Sequence, residues 1–360
     1  MIEYFSSLNL NGHHYETEEL SEYCETSLER GNLPTWERDI YKFILDWISD
    51  VPYVVLQTSG STGIPKVIRQ SKEMMINSAL MTMRYFKLAA GKNALLCLPV
   101  SYIAGKMMIV RAFVSRINLV ITEPSANPFQ FQQLKIDFTA ITPYQLIKSL
   151  DTLNDAKVET VIVGGGEISY DLEMRCQDIS STIFATYGMT ETSSHIAIRP
   201  VNGIGKSSIY EVLENTRISL DPRGCLVINA PHLTSETLIT NDLVLIKDDY
   251  HFEWIGRFDN VINSGGVKIH PEQIEKKLSG LIDRRFFIYG LPDAILGEIV
   301  ALFIEGDAFD DVENQNFTMS LHSLLPKFEI PRKVLFIQSF DLSESGKILK
   351  RQTVFNFQSL

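Results

Sequence analysis

The sequence predicts an α/β protein: a large doubly wound unit, a small antiparallel β subdomain, and a small α+β unit at the C-terminal end. Three observations predict it. Over about residues 52–188, short apolar runs alternate with helix-length segments, the pattern of a sheet covered on both faces. From about 203 to 256 the chain changes to short alternating runs broken by turn residues, which read as antiparallel strands. Beyond Arg257 strand and helix segments resume in an amount sufficient for a small domain. With the boundary at Asp259, the expected units are 1–258 and 259–360. A chain of 360 residues also exceeds the ~250–300 at which single cores stop growing.

Along the chain, PYVVLQ (52–57) reads as a buried strand. It leads into QTSGSTGIPK (57–66), whose composition suits a phosphate chain. Gly60 and Gly63 let the backbone take positive φ and approach a ligand. Backbone N–H groups and the hydroxyls of Thr58, Ser59, Ser61 and Thr62 can donate to phosphate oxygens, and Lys66 adds a point charge. The spacing is not that of a Walker A loop. An ordinary surface turn uses the same residue types, but four hydroxyls closed by Pro-Lys match it poorly. Ser71 then stands where it can cap a helix with Glu73 in its first turn, and Met75, Ala79, Met83 and Phe86 form its core stripe. Strand candidates follow at NALLCLPV (93–100), INLVIT (117–122), FTAIT (138–142), TVIVGGG (160–166) and STIFATYG (181–188). RISL, CLVINA, LITNDLVLI and YHFEWIG make the antiparallel series. The last part offers a helix at PEQIEKKLSGL (271–281), strands at RRFFIYGLP and EIVALFIEG, a helix at SLHSLLPKF (320–328) and a strand at KVLFIQS.

Composition narrows the partners. With 33 basic and 44 acidic residues the net charge is −11, which argues against nucleic acid or an anionic membrane. An anionic substrate must then be held by local cations. No apolar run reaches the ~18 residues of a bilayer span, so no membrane insertion is expected. Cys24, Cys97, Cys176 and Cys225 form no C-x-x-C pair and the start MIEYFSSLNLNGHHYE is polar, so reduced thiols and a cytoplasmic location are expected. The seven histidines show no metal-ligand spacing, and the adjacent His13 and His14 read as surface residues. No motif sets an oligomeric state.

Five stretches in order, QTSGSTGIPK, YGMTE (187–191), GRFDN (256–260), SGGVKIHPEQIE (264–275) and SGKILKR (345–351), resemble the motifs of the adenylate-forming superfamily. That superfamily includes acyl- and aryl-CoA ligases, peptide-synthetase adenylation domains and firefly luciferase. The resemblance implies attack of a carboxylate on the α-phosphorus of ATP, giving an acyl-adenylate and pyrophosphate, then acyl transfer to a thiol, usually coenzyme A. It implies a catalytic set of Lys347, Glu191, Thr190 and Lys66, with Glu191 also holding Mg²⁺, a hard cation suited to carboxylate and phosphate oxygens. Tyr187 and Gly188 would border adenine, and Gly164, Gly165 and Gly166 would form a purine wall, where the residues alone allow a plain turn equally well. Asp242 and Arg257 would hold the ribose. Asp259 would be the hinge about which a mobile C-terminal domain swings, and Lys347 would reach across to the carboxylate and α-phosphate. Lys268, beside the loop Ser264-Gly265-Gly266, would border the pantetheine tunnel.

Three departures stand out. Only 56 residues precede the loop, so the front is expected to be trimmed. Asn241 replaces the glycine of the usual TGD ribose motif. In PVSYIAG (99–105), Tyr102 stands where the superfamily often has histidine, either as a gate to the acyl pocket or as a core tyrosine. GGGEIS, YGMTETSSHIA and SGGVKIHPEQIE look most similar to o-succinylbenzoate–CoA ligases of menaquinone biosynthesis. The small-molecule acid would then carry a second, spared carboxylate needing a cation, for which Lys106 and Arg111 are the candidates. Other readings are a different aryl- or acyl-CoA ligase, an adenylation enzyme serving a carrier protein, and a silent nucleotide-binding scaffold.

Overall fold

A computed structural model describes residues 5–57, 67–130, 133–342 and 348–358. The chain opens with a hairpin, β1 (Ser7–Leu10) and β2 (His13–Glu16), then helices α1 (Thr17–Glu29) and α2 (Thr35–Ile48). A second hairpin, β3 (Tyr53–Gln57) and β4 (Val67–Ser71), precedes α3 (Lys72–Phe86). Next come β5 (Asn93–Leu96), α4 (Ile103–Ser115), β6 (Asn118–Ile121), β7 (Ile136–Ile141), α5 (Pro143–Leu153), β8 (Val158–Val163), α6 (Tyr170–Arg175) and β9 (Thr182–Gly188). The antiparallel series is β10 (His195–Pro200), β11 (Ile209–Val212), β12 (Arg217–Leu220), β13 (Cys225–Asn229), β14 (Leu238–Asp248) and β15 (His251–Arg257). The last part holds β16 (Ile262–Ser264), β17 (Val267–Ile269), α7 (Pro271–Leu278), β18 (Phe286–Asp293), β19 (Gly297–Glu305), α8 (Asp311–Leu324), β20 (Lys333–Ile337) and α9 (Lys350–Gln358).

Thirteen strands form one sheet, in the order β12-β13-β14-β15-β11-β10-β9-β8-β7-β5-β6-β1-β2. From β9 to β1 every pairing is parallel. The chain leaves β5 for β6 on one side and then crosses to β7 on the other, so the winding reverses beside β5. In such sheets ligands settle outside the carboxyl ends near the reversal. Strand alternation supplies both covered faces. Ala94 and Leu96 of β5 join one core cluster with α2, α3 and α4, while Leu95 and Cys97 join another with α5 and α6.

Two expectations change in detail. The antiparallel series has a core of its own, with Ile196, Ile198, Ile228 and Phe252 at its centre. It is nevertheless continuous with the parallel part, because β10 pairs antiparallel with β9 and reverses direction without breaking the hydrogen-bonded ladder. PYVVLQ is not a buried sheet strand: among the described residues β3 pairs only with β4, Val54 and Leu56 face the core, and Val55 is exposed. A strand carrying a hairpin loop needs only one apolar face.

The smaller sheet, β16 to β20, is built the same way. Val300, Leu302 and Ile304 of β19 face α7 and α8, while Ile299, Ala301 and Phe303 face α9. Helix α8 starts well before Ser320, since Asp310 caps it by accepting from the Glu313 N–H at 2.8 Å, and its buried stripe begins at Phe317. No helix among the described residues is long and apolar enough to cross a membrane.

Trp47 on α2 anchors the front of the larger core, with ring centroids 5.2 Å from Phe5, 6.2 Å from Phe43 and 6.5 Å from Phe113. Trp47→Ala is expected to cost about 3–5 kcal/mol in urea unfolding, by lost burial and a residual cavity. A loss under about 1 kcal/mol would show that this front does not support the sheet.

Candidate active site

The carboxyl ends of β8 and β9 carry Gly164–Gly166 and Tyr187–Gly188. A side chain at either flanking glycine would collide with its neighbour: a Cβ on Gly164 would lie 2.6 Å from Thr186 Oγ1, and one on Gly188 2.3 Å from the Ser194 carbonyl oxygen. Gly165 has φ of +80° and open space where a side chain would be. Gly166 beside it is exposed, so the triplet is a bare stretch of backbone of the kind a flat ring can lie against.

Tyr187 and Asp242, picked out separately from the sequence, are joined. The tyrosine hydroxyl donates to Asp242 Oδ2 at 2.7 Å, and its ring meets Phe252 edge-on at 5.3 Å. Burial first, then the Asp242 charge, pushes the phenol well above its usual range, so it stays a neutral donor. Trp254 Nε1 donates to Asp242 Oδ1 at 3.3 Å. Arg257 stands opposite Asp242 in the ladder, with Nη1 3.6 Å from Oδ1. Arg257 also pairs with Asp259 at 3.3 Å. The proposed ribose and hinge residues are therefore one charge cluster.

Thr190 and Glu191 open a short 3₁₀ turn after β9. Glu191 is exposed, and no hydrogen bond or ion pair holds its carboxylate among the described residues. No group of three or more metal-ligating side chains occurs there either. A single free carboxylate fits Mg²⁺ shared with phosphate oxygens and water, not a cage built from side chains alone.

Behind this turn lies a buried polar cluster. Gln70 of β4 donates to Ser193 Oγ at 2.8 Å and to the Leu233 carbonyl at 3.1 Å, tying the β3–β4 hairpin to the turn. Arg111 is 2% exposed and donates to Ser194 Oγ and to Thr82 Oγ1. No carboxylate pairs with Arg111 among the described residues, and burial alone pushes its guanidinium down to about 9. His195 contacts Ser194 Oγ and Thr82 Oγ1, each at 3.2 Å.

Lys106 is turned elsewhere. Its ammonium donates to the Val100 carbonyl at 2.5 Å and lies 5.0 Å from the Phe43 ring. Five residues along a helix rotate by about 140°, so Lys106 and Arg111 face different ways. Of the two cation candidates, only Arg111 adjoins the YGMTE turn. Tyr102 is exposed at the start of α4, so it is not a core tyrosine. Lys268 lines a cavity of about 430 Å³ with Arg223, Phe258 and His270, apart from the glycine triplet. Thr58, Ser59, Gly60, Ser61, Thr62, Gly63, Lys66 and Lys347 lie outside the described residues.

On the C-terminal side, α7 docks on the end of β15: Gln273 Nε2 donates to the Ile255 carbonyl at 2.8 Å, and Asn260 Nδ2 to Glu272 Oε1 at 2.6 Å. Lys350, three residues beyond Lys347, pairs with Glu275 at 2.7 Å. Burial in this crevice, then the like charges of Glu275 and Glu272, push the Glu167 carboxyl upward, while Lys350 and Arg199 pull it down. Glu167 remains exposed at its surface, so the neighbouring carboxylates are the firmer cause. Glu167 follows the glycine triplet, so Lys350 and Glu275 lie on the triplet's side.

The sequence profile for "AMP-binding enzyme" matches residues 27–228, more than half of the chain. The chain belongs to that family. It is an AMP-forming acid–thiol ligase by the same resemblance. The 2-succinylbenzoate–CoA ligase of Lactococcus lactis is 23% identical over 319 residues, covering 83% of this chain and 70% of that protein. An acyl-CoA synthetase (AMP-forming)/AMP-acid ligase II-like protein from Dyadobacter fermentans is 36% identical, with a TM-score of 0.61 over 93% of this chain and 98% of that one. The o-succinylbenzoate coenzyme A synthetase of Bacillus subtilis, solved with ATP and magnesium ion, is 20% identical with a TM-score of 0.71, covering 83% and 69%. The fold agrees with this membership.

Sequence reading passed over Gln70, Ser194, His195 and Glu167 as individual residues. The last three sit inside stretches already quoted as motifs, whereas nothing local marks Gln70.

His195 supplies a pH test. Burial and then the Arg111 charge hold its ring well below the usual range, so it stays neutral when folded. The unfolded chain takes up a proton near pH ~6.5, so stability present above that value falls as pH drops below it. In urea unfolding between pH 7.5 and 5.5 (about two pH units), His195→Gln is expected to flatten that fall. An unchanged slope would contradict the neutral buried ring.

Proposed function

We propose that this chain uses ATP with Mg²⁺ to activate o-succinylbenzoate and passes the acyl group to coenzyme A. The observation that carries the substrate is Arg111. A buried guanidinium without a carboxylate partner is expensive, and an anion delivered by the substrate would offset that cost. A diacid suits it: one carboxylate reacts and the other meets Arg111. The similarity to 2-succinylbenzoate–CoA ligases supports the same reading.

Each residue has a task. The glycine-hydroxyl loop from Thr58 to Gly63 and Lys66 would cradle the triphosphate. Gln70 would steady the hairpin that presents it. Gly164–Gly166 and Tyr187 would bound the purine, with Asp242 and Arg257 on the ribose. Glu191 would hold Mg²⁺, whose charge would offset the negative charge that builds as two anions meet. The acid carboxylate forms a bond to the α-phosphorus, pyrophosphate leaves with the electron pair, and Lys347 places positive charge between the reacting anions. The thiolate of coenzyme A then attacks the acyl carbon and AMP departs. Rotation about Asp259 between the two steps would exchange Lys347 for the Lys268 side of the C-terminal domain. The link from Lys350 and Glu275 to Glu167 supports placing this structure in the first pose.

Retention of Lys66, Glu191 and Lys347 together speaks against a silent scaffold, since nucleotide binding alone has no need of Lys347.

ATP–pyrophosphate exchange across a panel of aryl and aliphatic acids tests the substrate. Exchange with o-succinylbenzoate is expected to exceed that with analogues lacking the second carboxylate. Arg111→Met should raise KM for the diacid by ~10²-fold, the value of a charged hydrogen bond, and leave a monoacid little changed. Arg111→Lys should restore part of the loss. Equal effects on both acids would remove the assignment. Lys347→Ala is expected to slow adenylate formation by ~10²–10⁴-fold while sparing thioester formation from supplied adenylate. A similar loss in both steps would contradict its role.

A further inference from the structure

Asn241 occupies the position at which the ribose motif resembled by LITND carries glycine. Its side chain is engaged at both ends. Arg223 Nη1 donates to Asn241 Oδ1 at 2.9 Å, and Asn241 Nδ2 donates to Asp259 Oδ2 at 3.1 Å. Only one orientation of the amide satisfies both neighbours, because guanidinium can only donate and carboxylate can only accept. Arg223 is itself fixed: Nε meets Asp221 at 2.7 Å, Nη2 donates to the Thr240 carbonyl at 3.0 Å, and its guanidinium lies 5.0 Å from the Phe258 ring.

We propose that Asn241 is a positioning residue that latches the hinge aspartate to the larger sheet and so sets the balance between the two half-reactions. The contact meets the hinge residue at the same carboxylate oxygen, Oδ2, that Arg257 engages. A chain running Asp221–Arg223–Asn241–Asp259 extends from the β12–β13 turn to the last residues before β16. Phe258 beneath Arg223 is gripped by the same turn. Swinging the C-terminal part about Asp259 must break the amide contact, whereas glycine at 241 has no side chain to break. This inference rests on the two-step reading and on Asp259 as the pivot, and it adds a brake on that swing.

The test compares wild type with Asn241→Gly and Asn241→Asp. Rates of adenylate formation and of thioester formation from supplied acyl-adenylate are measured separately in single turnovers. Both variants are expected to raise the second rate relative to the first by about three- to tenfold, the factor of one partly exposed hydrogen bond to a charged group. Asn241→Asp keeps the acceptor for Arg223 but sets a carboxylate against Asp259, so it releases the latch without shortening the side chain. If Asn241 merely shaped the turn, both rates would fall together and their ratio would hold, which overturns the proposal. A second readout needs no acid. The four native cysteines are buried, so spin labels can be placed at Lys148→Cys and Asn316→Cys. The latch predicts a broader distance distribution in Asn241→Gly than in wild type, and identical distributions overturn it. Should no acid support exchange, the substrate reading fails while the distances still decide the latch.

Discussion

One half-buried carboxylate holds the candidate site together. Asp242 accepts from Tyr187 on β9 and Trp254 on β15 and stands beside Arg257. Strand order places β9 and β14 in one ladder with β10, β11 and β15 between them, so the antiparallel strands must continue the parallel sheet for these side chains to meet. Removing the carboxylate would leave the buried Tyr187 phenol without its acceptor, which is costly, and would leave Arg257 with Asp259 alone. Through Arg257 the same charge reaches Asp259. The residues proposed for the ribose and for the hinge therefore share one electrostatic unit, and a change at either end is felt at the other.

A second constraint comes from cations in unlike settings. The chain is acidic overall, yet an AMP-forming ligase must gather two anionic reactants. The fold meets this with few, sheltered positive charges, not with a basic surface. Arg111 is buried without a carboxylate partner among the described residues, Arg257 is shared between two aspartates, and Lys350 is held by Glu275. Burial works to lower the Lys350 ammonium, and Glu275, Glu272 and Glu167 together outweigh it. Low local polarity strengthens each remaining interaction and makes an unpaired charge expensive. On the proposed reading, that is why Arg111 would distinguish a diacid from a monoacid.

Much of the fold was legible because its parallel strands are unbroken apolar runs, and a run such as TVIVGGG records burial on both faces in one dimension. The glycine triplet, YGMTE and GRFDN were legible as local strings with chemical content. What stayed hidden was pairing. Nothing in PYVVLQ says that it pairs with VIRQS and not with the large sheet, because a hairpin arm and a sheet strand share the same apolar alternation. The continuity from β9 to β10 depends on register, which no single strand encodes. Helix α2 went unassigned although Ile40, Phe43, Ile44 and Trp47 recur at helical spacing, because no capping residue marks its start. Lys106 and Arg111 looked equivalent in sequence, and only helical phase separates them. Asn241 showed as a departure from a motif, while its bonds to Arg223 and Asp259 needed three dimensions.

Isotope transfer tests the central chemistry most directly. The acid is supplied with oxygen-18 in both carboxylate oxygens, together with ATP, Mg²⁺ and coenzyme A. Attack of that carboxylate on the α-phosphorus, followed by thiol attack on the acyl carbon, leaves one labelled oxygen on each AMP released. Label in pyrophosphate or inorganic phosphate, or AMP free of label while thioester accumulates, would contradict activation at the α-phosphorus.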